Sequence, residues 1–166
     1  METFDTIKGD ENIEKFSMDC IKIQEYQQNR YPYLMIDHVD EVVPGKSARG
    51  YKNLSMNEWF FPPHFPDAPN MPGALQLESM AQMITIAITT LPGIKGKTTR
   101  FISSSLKFHK EIRPGDKMVI DTKVTFWSRG IFKGVGTAYT NGTIASESEM
   151  VICVPDILNQ YSPKKQ

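Results

Sequence analysis

The sequence predicts an α+β domain in which one long apolar helix is covered by a curved antiparallel sheet. Three observations support this fold class. A long, mostly apolar run at 74–88 follows Pro72 and places apolar side chains in nearly every direction around a helix axis. Four later segments have the composition and length of strands, with glycine-containing turns between them. A helix that is apolar on all sides has to be buried, and a sheet is the element that remains to cover it.

Composition and charge are those of an ordinary globular protein. The 166 residues are 40% hydrophobic and 23% charged, which favours one domain with a sizeable core. The 19 Lys and Arg residues balance the 19 Asp and Glu residues, so the overall charge gives no reason to expect a nucleic-acid partner. The polar N-terminus has no signal-peptide core, and Cys20 and Cys153 form no paired motif, which together predict a cytoplasmic protein with reduced cysteines.

One domain is predicted at 18–155, between a polar arm at 1–17 and a tail at 156–166. A weak helical pattern covers 18–28 at its beginning. We expect no membrane span, because the one segment of suitable length, 71–91, contains several polar residues.

The first strands are predicted to form a hairpin. Strand-like runs at 33–43 and 47–55 flank the dipeptide Pro44-Gly45, which is a strong turn signal. The segment that follows, 57–69, combines four prolines with several aromatic residues. Disordered loops rarely carry so much aromatic mass, so this loop is predicted to be ordered.

Four more strands are predicted after the helix, which gives about five to six strands in all. Their approximate ranges are 98–109, 117–127, 131–140 and 143–154. Asn141-Gly142, which joins the last two, favours a two-residue hairpin turn. The second strand has one face with period-two spacing, made of Met118, Ile120, Val124 and Phe126. The third has an alternating row of small residues that would let another backbone approach closely, made of Gly134, Gly136 and Ala138.

The start of the long helix is predicted to form a site for a carbonyl oxygen. Pro72 suits the first helical position, and Asn70 is a plausible N-cap before it. Gly73 then lies in the first turn, with a free backbone N–H and no side chain to block it. A ligand carbonyl or oxyanion could bind there, helped by the positive end of the helix dipole.

Glu78 interrupts the apolar run about a turn and a half into the helix. A buried, unpaired carboxyl group tends to stay protonated with a raised pKa, which is the state that a general acid needs near neutral pH. Gln82, four residues further along the same face, could hydrogen-bond and orient this carboxyl group. The alternative is a structural carboxylate, paired with a lysine or arginine or exposed at the sheet edge.

His64 lies in the loop before the long helix, where four neighbouring prolines stiffen the chain. A neutral histidine can abstract an activated carbon-bound proton near pH 7, although a single histidine in a loop can equally be incidental. No set of His, Cys, Asp and Glu residues has metal-ligand spacing. The glycine motifs for nucleotides and the serine-nucleophile motif are also missing, so neither a metal nor another cofactor is predicted.

Four stretches form a long and specific set of motifs: RYPYLMIDHVDEVVPGKSARGYKNLS, HFPDAPNMPGALQLESMAQM, LKFHKEIRPGDKMVIDTKV and RGIFKGVGTAYTNGTIASESEMVICV. They resemble the 3-hydroxyacyl-[acyl-carrier-protein] dehydratases of fatty-acid synthesis, of the FabZ type. The resemblance covers about residues 30–153, which is most of the chain.

This resemblance implies a hotdog fold and a homodimer whose sheets join edge to edge, with three dimers often forming a hexamer. It implies an active site at the dimer interface, with His64 from one subunit and Glu78 from the other. The implied reaction removes water from a 3-hydroxyacyl thioester, carried by an acyl-carrier protein, to give the trans-2-enoyl thioester. Gly73 matches the family glycine whose N–H polarises the thioester carbonyl.

In this reaction His64 would take the C2 proton, and Glu78 would donate a proton to the departing 3-hydroxyl group. The acyl chain is expected in an apolar tunnel, with candidate lining residues Phe60, Phe61, Leu77 and Met80. An acidic carrier protein would need a basic docking surface. The candidates for it, which could alternatively form an ordinary solvated face, are Lys95, Lys97, Arg100, Lys107, Lys110 and Arg113.

At four positions the chain departs from the pattern of the family. Pro63 and Asp67 replace glycines on either side of His64, Asn29 replaces the histidine of the usual HRYP motif, and His38 replaces an arginine. These changes leave the substrate and the pathway open, whether fatty-acid synthesis or a specialised acyl pathway. Two other functions also stay open: a hotdog acyl-thioesterase and a non-catalytic acyl-thioester-binding protein.

Overall fold

The computed structural model describes residues 14–161. Its elements in chain order are β1 (Phe16–Met18), α1 (Cys20–Ile23), β2 (His38–Val43), β3 (Ser47–Asn53), α2 (Gly73–Thr89), β4 (Arg100–Phe108), β5 (Lys117–Ser128), β6 (Ile131–Thr140), β7 (Thr143–Cys153), α3 (Pro155–Leu158) and a final 3-10 turn (Asn159–Tyr161).

The outer parts of the predicted arm and tail, 1–13 and 162–166, lie outside the described residues, and the predicted domain boundaries remain predictions. Within 14–161, no helix has both the length and the apolar character needed to cross a membrane.

Seven strands of the described chain form one antiparallel sheet, in the order β1-β2-β3-β5-β6-β7-β4. The predicted number of five to six strands was therefore too low. The additional strand is β1, which has three residues and pairs with β2, with Phe16 opposite Val42. A segment this short cannot show a clear alternation of apolar and polar residues, so no sequence signal marks it.

Helix α2 packs against the sheet, mainly on β3, β5 and β6, and every residue from Ser79 to Thr89 is buried. Glycines on β6 make this close packing possible. A Cβ on Gly134 would collide with Ile84, and one on Gly136 would crowd Met80. The close approach predicted from the alternating small residues is therefore confirmed. One long buried helix against an antiparallel sheet is the hotdog arrangement.

The predicted hairpins and the ordered loop are also present. Gly45, with a φ of 69°, turns the chain between β2 and β3. Asn141 and Gly142 have φ values of 50° and 72°, as the favoured two-residue turn between β6 and β7 requires. In the loop at 57–69, the side chains of Phe60 and Phe61 are fully buried and anchor it to the core.

Two predictions about helices were wrong. Helix α1 is shorter than the predicted 18–28, and Asp19 caps it by accepting hydrogen bonds from two backbone N–H groups. Asn70 is not the N-cap of α2. Pro72 occupies that position and no side chain caps the helix, because Asn70 donates instead to the carbonyl of Ala68 within its own loop, at 3.2 Å.

The period-two face of β5 breaks at its end. The pairing with β6 shifts between Val124 and Phe126, which inserts one extra residue into β5 as a bulge. Phe126 consequently lies opposite Lys133 and is 46% exposed, so its predicted place on the buried face was wrong. Trp127 points inward instead and stacks on Phe132, with ring centroids 5.1 Å apart.

Candidate active site

Glu78 lies in the second turn of α2, where it is half-buried. The hydrogen bond expected from its spacing to Gln82 is present, with Nε2 donating to Oε1 at 2.8 Å. Burial raises the pKa of Glu78, and the hydrogen bond from Gln82 offsets part of this effect. No charged partner contributes to the pKa of Glu78 within residues 14–161, so the described chain does not show the alternative of a carboxylate paired with a lysine or arginine.

Gln82 is held in one orientation by its neighbours. Its Oε1 accepts the backbone N–H of Met35 at 2.7 Å, and its Nε2 donates to the carbonyl of Tyr33 at 2.8 Å as well as to Glu78. A backbone N–H can only donate and a backbone carbonyl can only accept, so the amide group cannot turn over. Gln82 is therefore a fixed donor to the carboxyl group of Glu78.

A cavity of about 150 Å³ opens beside Glu78, and we call it the carboxyl cavity. It lies between α2, the segment that follows α1 and the start of β4. Its lining includes Gln27, Asn29, Glu78, Gln82, Arg100 and Phe101. The amide Nδ2 of Asn29 lies 3.5 Å from Oε1 of Glu78.

A second cavity, of about 410 Å³, lies at the start of α2, and we call it the amide cavity. Its lining includes Asn70, Met71, Gly73, Gln76, Phe108 and Lys110. The first turn of a helix leaves its N–H groups without intrahelical partners, and Gly73 is the first residue of α2. A Cβ on Gly73 would collide with the ring of Phe108, so glycine is what lets this ring lie over the helix start.

His64 is connected to the amide cavity through the backbone. Its Nδ1 lies 3.0 Å from the carbonyl oxygen of Asn70, a residue of the cavity wall. A carbonyl oxygen can only accept, so Nδ1 of the neutral ring carries the proton and Nε2 keeps its lone pair. The ring is half-buried and stacks on Phe65 with centroids 4.2 Å apart. This is the tautomer that a base acting through Nε2 needs.

Within one chain the two cavities share no lining residue. Gly73 and Glu78 are five residues apart on α2, which corresponds to about 140° around the helix axis and about 7.5 Å along it. Strand β4 connects the cavities, because Arg100 and Phe101 at its start line the carboxyl cavity and Phe108 at its end lines the amide cavity. One chain therefore presents two separate candidate half-sites at opposite ends of a strand on the edge of the sheet. We call them the carboxyl half-site and the amide half-site, after their cavities.

The residues predicted to line an acyl tunnel lie in neither half-site. Phe60, Phe61 and Met80 are fully buried in the core, and Leu77 packs against that core. None of the four lines the carboxyl or the amide cavity, so their contact with an acyl chain stays a prediction.

The six basic residues predicted to form a docking surface fall into two groups. Lys95, Lys97 and Arg100 lie near the start of β4, and Lys107, Lys110 and Arg113 lie near its end or beyond it. The seven residue steps from Arg100 to Lys107 span about 23 Å of strand. Among residues 14–161, three of the six are in ion pairs, which are Lys95–Glu25 at 2.8 Å, Lys97–Asp156 at 3.2 Å and Arg113–Glu111 at 2.7 Å.

Several residues of the half-sites were given no role in the sequence analysis, although they lie within the quoted motifs. The carbonyl of Tyr33 helps to hold Gln82, Phe108 covers Gly73, and Gln76 is a buried wall residue of the amide cavity. Asn29 was noticeable in the sequence only as a departure from the HRYP motif. Within residues 14–161, no three His, Cys, Asp or Glu side chains come together as metal ligands would.

The model of the FabA-like domain family matches residues 28–149. The chain belongs to this family.

Several curated proteins that are similar to this chain are named as dehydratases. The chain is 39% identical over 137 residues to the 3-hydroxyacyl-[acyl-carrier-protein] dehydratase FabZ of Caldicellulosiruptor saccharolyticus, which covers 82% of this chain and 98% of the relative. It is 40% identical over 145 residues to the FabZ of a Clostridium botulinum strain, which covers 86% of this chain and 99% of the relative.

Similar solved structures support the fold. The dehydratase heterocomplex ApeI:P from Xenorhabdus doucetiae matches with a TM-score of 0.70 and 15% identity, covering 86% of this chain and 97% of that one. A structure titled as a hypothetical thioesterase with coenzyme A, from Streptococcus pneumoniae, matches with a TM-score of 0.57 and 12% identity, covering 70% and 83%. At these identities the likeness shows the hotdog fold alone.

Proposed function

We propose that this protein is a 3-hydroxyacyl-[acyl-carrier-protein] dehydratase, which converts a 3-hydroxyacyl thioester to the trans-2-enoyl thioester in fatty-acid synthesis or a specialised acyl pathway. Membership of the FabA-like family and the FabZ relatives support this reaction. The observation in the chain that carries the proposal is Glu78, a carboxyl group whose pKa is raised by burial and which a fixed amide donor orients.

The acid and the base would act on neighbouring carbons of the substrate. His64 accepts the C2 proton on Nε2, because its Nδ1 already donates to the carbonyl of Asn70. Protonated Glu78 donates its proton to the 3-hydroxyl group, the C3–O bond breaks, and water leaves as the C2–C3 double bond forms. His64 ends protonated and Glu78 ends ionised, so a proton has to return between them before the next turnover.

The C2 proton of a thioester is only weakly acidic, so its carbonyl oxygen must be stabilised as enolate character develops. The N–H of Gly73 is suited to this, because it is in the first turn of a helix of 17 residues and lines the amide cavity. The thioester carbonyl would therefore bind on the Gly73 side of the site.

The complete site would require two copies of the chain. Strand β4 is at the edge of the sheet, and Phe101, Ile102 and Phe108 on it are 41%, 53% and 57% exposed. An edge strand with exposed apolar side chains favours pairing with another strand. Antiparallel pairing of two β4 strands would place the Glu78 end of one copy beside the Gly73 end of the other.

The carrier is the remaining part of the proposal. An acyl-carrier protein is acidic, and Arg100 and Lys110 each place a basic residue in the wall of one half-site. A homodimer, its assembly into a trimer of dimers, and a cytoplasmic location belong to the same proposal.

Complementation between two inactive variants tests the activity and the shared site together. His64→Ala and Glu78→Gln should each lose dehydration of 3-hydroxyacyl carrier protein while their oligomeric state is kept. When both variants are expressed in one cell, half of randomly formed dimers are mixed, and each mixed dimer has one intact site. Activity should therefore return to about a quarter of the wild-type value.

Other results of these assays would refute a specific part of the proposal or identify a different function. Activity retained by either single variant would refute the assigned roles. Two inactive variants with no recovery on mixing would refute the shared site while leaving the chemistry intact. Release of thiol from an acyl thioester without a 3-hydroxyl group would identify a thioesterase, and substrate binding without turnover would identify a binding protein.

A further inference from the structure

Both hydrogen-bond donors that approach Glu78 contact the same oxygen atom. Gln82 Nε2 donates to Oε1 at 2.8 Å, and Asn29 Nδ2 lies 3.5 Å from the same Oε1. Within residues 14–161 no donor or acceptor contacts Oε2. The two oxygens of this carboxyl group are therefore not equivalent.

We propose that Asn29 is a positioning residue for Glu78, which with Gln82 makes Oε1 the accepting oxygen so that the transferable proton is on Oε2. The proposal rests on the function of Glu78 as the general acid and goes beyond it by assigning the oxygen that carries the proton. Oε1 has two lone pairs, and with one facing Gln82 Nε2 and the other facing Asn29 Nδ2 it has none left for a proton, which therefore goes to Oε2. The orientation of Gln82 cannot reverse, because its amide partners are fixed.

The backbone around Asn29 is held in place by Arg30. Its guanidinium group donates to the carbonyl oxygens of Gln27 at 2.6 Å, Asn29 at 2.9 Å and Gln24 at 2.9 Å. Three hydrogen bonds from one planar group fix the turn that carries Asn29 towards α2. Asn29 is also half-buried and lines the carboxyl cavity, so its amide group is ordered beside the reacting carboxyl group.

Few titratable groups compete with these amides around Glu78. The segment before β2 brings Tyr33, whose own pKa is raised by burial and by the nearby charge of Glu78. The start of β4 brings Arg100 into the cavity wall, and α2 has no other titratable residue. The remaining wall residues, from the segment after α1 and from β7, are neutral. Neutral amides thus make the hydrogen bonds to the carboxyl group.

The variant Asn29→Asp tests the contact with almost no change in shape. It replaces a donor with an acceptor and adds a negative charge beside Glu78, so the pKa of Glu78 should rise. Dehydration needs protonated Glu78, so the high-pH limb of the kcat/KM profile should move to higher pH. We also expect kcat on the plateau to fall about two- to tenfold, the worth of one lost hydrogen bond, while KM changes less than twofold.

Gln28→Glu is the matched control, because it adds the same charge at the adjacent residue. Gln28 is exposed and bonds instead to the 96–98 loop, through Gly96 at 3.0 Å and Thr98 at 3.1 Å. Its profile should overlay that of the wild type. The proposal would be overturned if the high-pH limb of the kcat/KM profile stays in place in Asn29→Asp. It would also be overturned if the limb moves equally far in Gln28→Glu.

A titration without turnover separates this proposal from the proposed function. The method is NMR of protein labelled with ¹³C at the carboxyl carbon of glutamate, in which the signal of Glu78 is identified as the one lost in Glu78→Gln. The pH at the midpoint of its titration should be higher in Asn29→Asp than in the wild type. Isotope-edited infrared spectra should show a higher C=O frequency for protonated Glu78 in Asn29→Ala, because the accepting oxygen has lost a donor. Identical midpoints and frequencies would refute the role of Asn29 even if dehydration is confirmed. The expected shifts in a protein without dehydratase activity would refute the function instead.

Discussion

The carboxyl half-site and the amide half-site are built in different ways. Around Glu78 the cavity is small, about 150 Å³, and the key amide group of Gln82 has all its partners within the chain. Around Gly73 the cavity is larger, about 410 Å³, and Gln76 in its wall has a buried Oε1 with no hydrogen-bond partner among residues 14–161. Phe108, which covers this side, is 57% exposed.

The difference indicates which part of the proposed site one chain completes alone. The proposed general acid, Glu78, needs its pKa and orientation set before the substrate arrives. Burial raises its pKa, and Gln82, which the N–H of Met35 helps to hold, orients it. A site for a carbonyl oxygen needs free donors, which stay unpaired until a ligand binds. The N–H groups at the start of α2 are such donors, so they are expected to stay without an intrahelical partner on the Gly73 side.

The largest expected effect is on the carboxyl half-site. Glu78→Gln should lower the turnover of 3-hydroxyacyl carrier protein by roughly 10²- to 10⁴-fold, because the amide cannot donate the required proton. Glu149→Gln, at an exposed position of β7, is the control and should keep wild-type turnover. Equal activity of the two variants would remove the carboxyl half-site from the mechanism.

The same substitution should stabilise the fold as pH rises. Burial raises the folded-state pKa of Glu78, so the folded protein carries no penalty below the unfolded pKa and the full penalty above the folded pKa. The melting temperature of Glu78→Gln should therefore exceed that of the wild type by an amount that grows from acidic to alkaline pH. A constant difference across this range would contradict a raised pKa.

The loop that carries His64 provides the next test. Lys52 is 6% exposed and pairs with Asp37 at 3.2 Å and with Glu58, in this loop segment, at 3.0 Å. Lys52→Met leaves two carboxylates without their cation and should lower the free energy of unfolding by about 3 kcal/mol, the lower end for a broken buried pair, because Asp37 is about a third exposed.

Lys123→Met, at an exposed position of β5, is the control for Lys52→Met in denaturant unfolding and should change stability little. If both variants unfold at the same denaturant concentration, the buried lysine does not hold the loop.

Gly73→Ala tests the amide half-site with a smaller expected effect. The added methyl group has to displace the ring of Phe108, and we expect kcat/KM to fall about tenfold because the N–H donor is crowded but still present. The double variant Gly73→Ala/Phe108→Ala should recover part of this loss in steady-state kinetics, because the obstructing ring is gone. Losses that simply add would show that the two residues act independently.

The smallest effect is expected at the basic residues. Lys107 is exposed and has no ion pair among those of residues 14–161, whereas Lys95 already pairs with Glu25 at 2.8 Å. Lys107→Ala should raise KM for the carrier-bound substrate roughly two- to threefold at low salt, and the effect should disappear at high salt. Lys95→Ala should change this KM little, and Lys107→Ala should change the KM for the coenzyme A thioester little. A salt-independent effect would exclude electrostatic docking at Lys107.

Much of the carboxyl half-site follows from local spacing. Residues four apart on a helix share a face, so the bond between Glu78 and Gln82 was predictable. The two partners that lock Gln82 are Tyr33 and Met35, which are 49 and 47 residues away from it, so spacing along the chain does not show that they meet. Asn29 reaches Glu78 across the same distance of 49 residues, so a pattern read along the chain shows only that it is unusual.

The apolar helix, the two turn-directed hairpins, the glycine row on β6 and the resemblance to the family could all be predicted from the amino-acid sequence. These depend on periodicity, on backbone conformation at a few residues and on motifs, all of which act over short distances. The bulge that turns Phe126 outward, the pairing of β1 and the separation of Gly73 from Glu78 into two cavities became visible only in the folded chain. These depend on which distant strands and loops pack together, and close packing in three dimensions selects them.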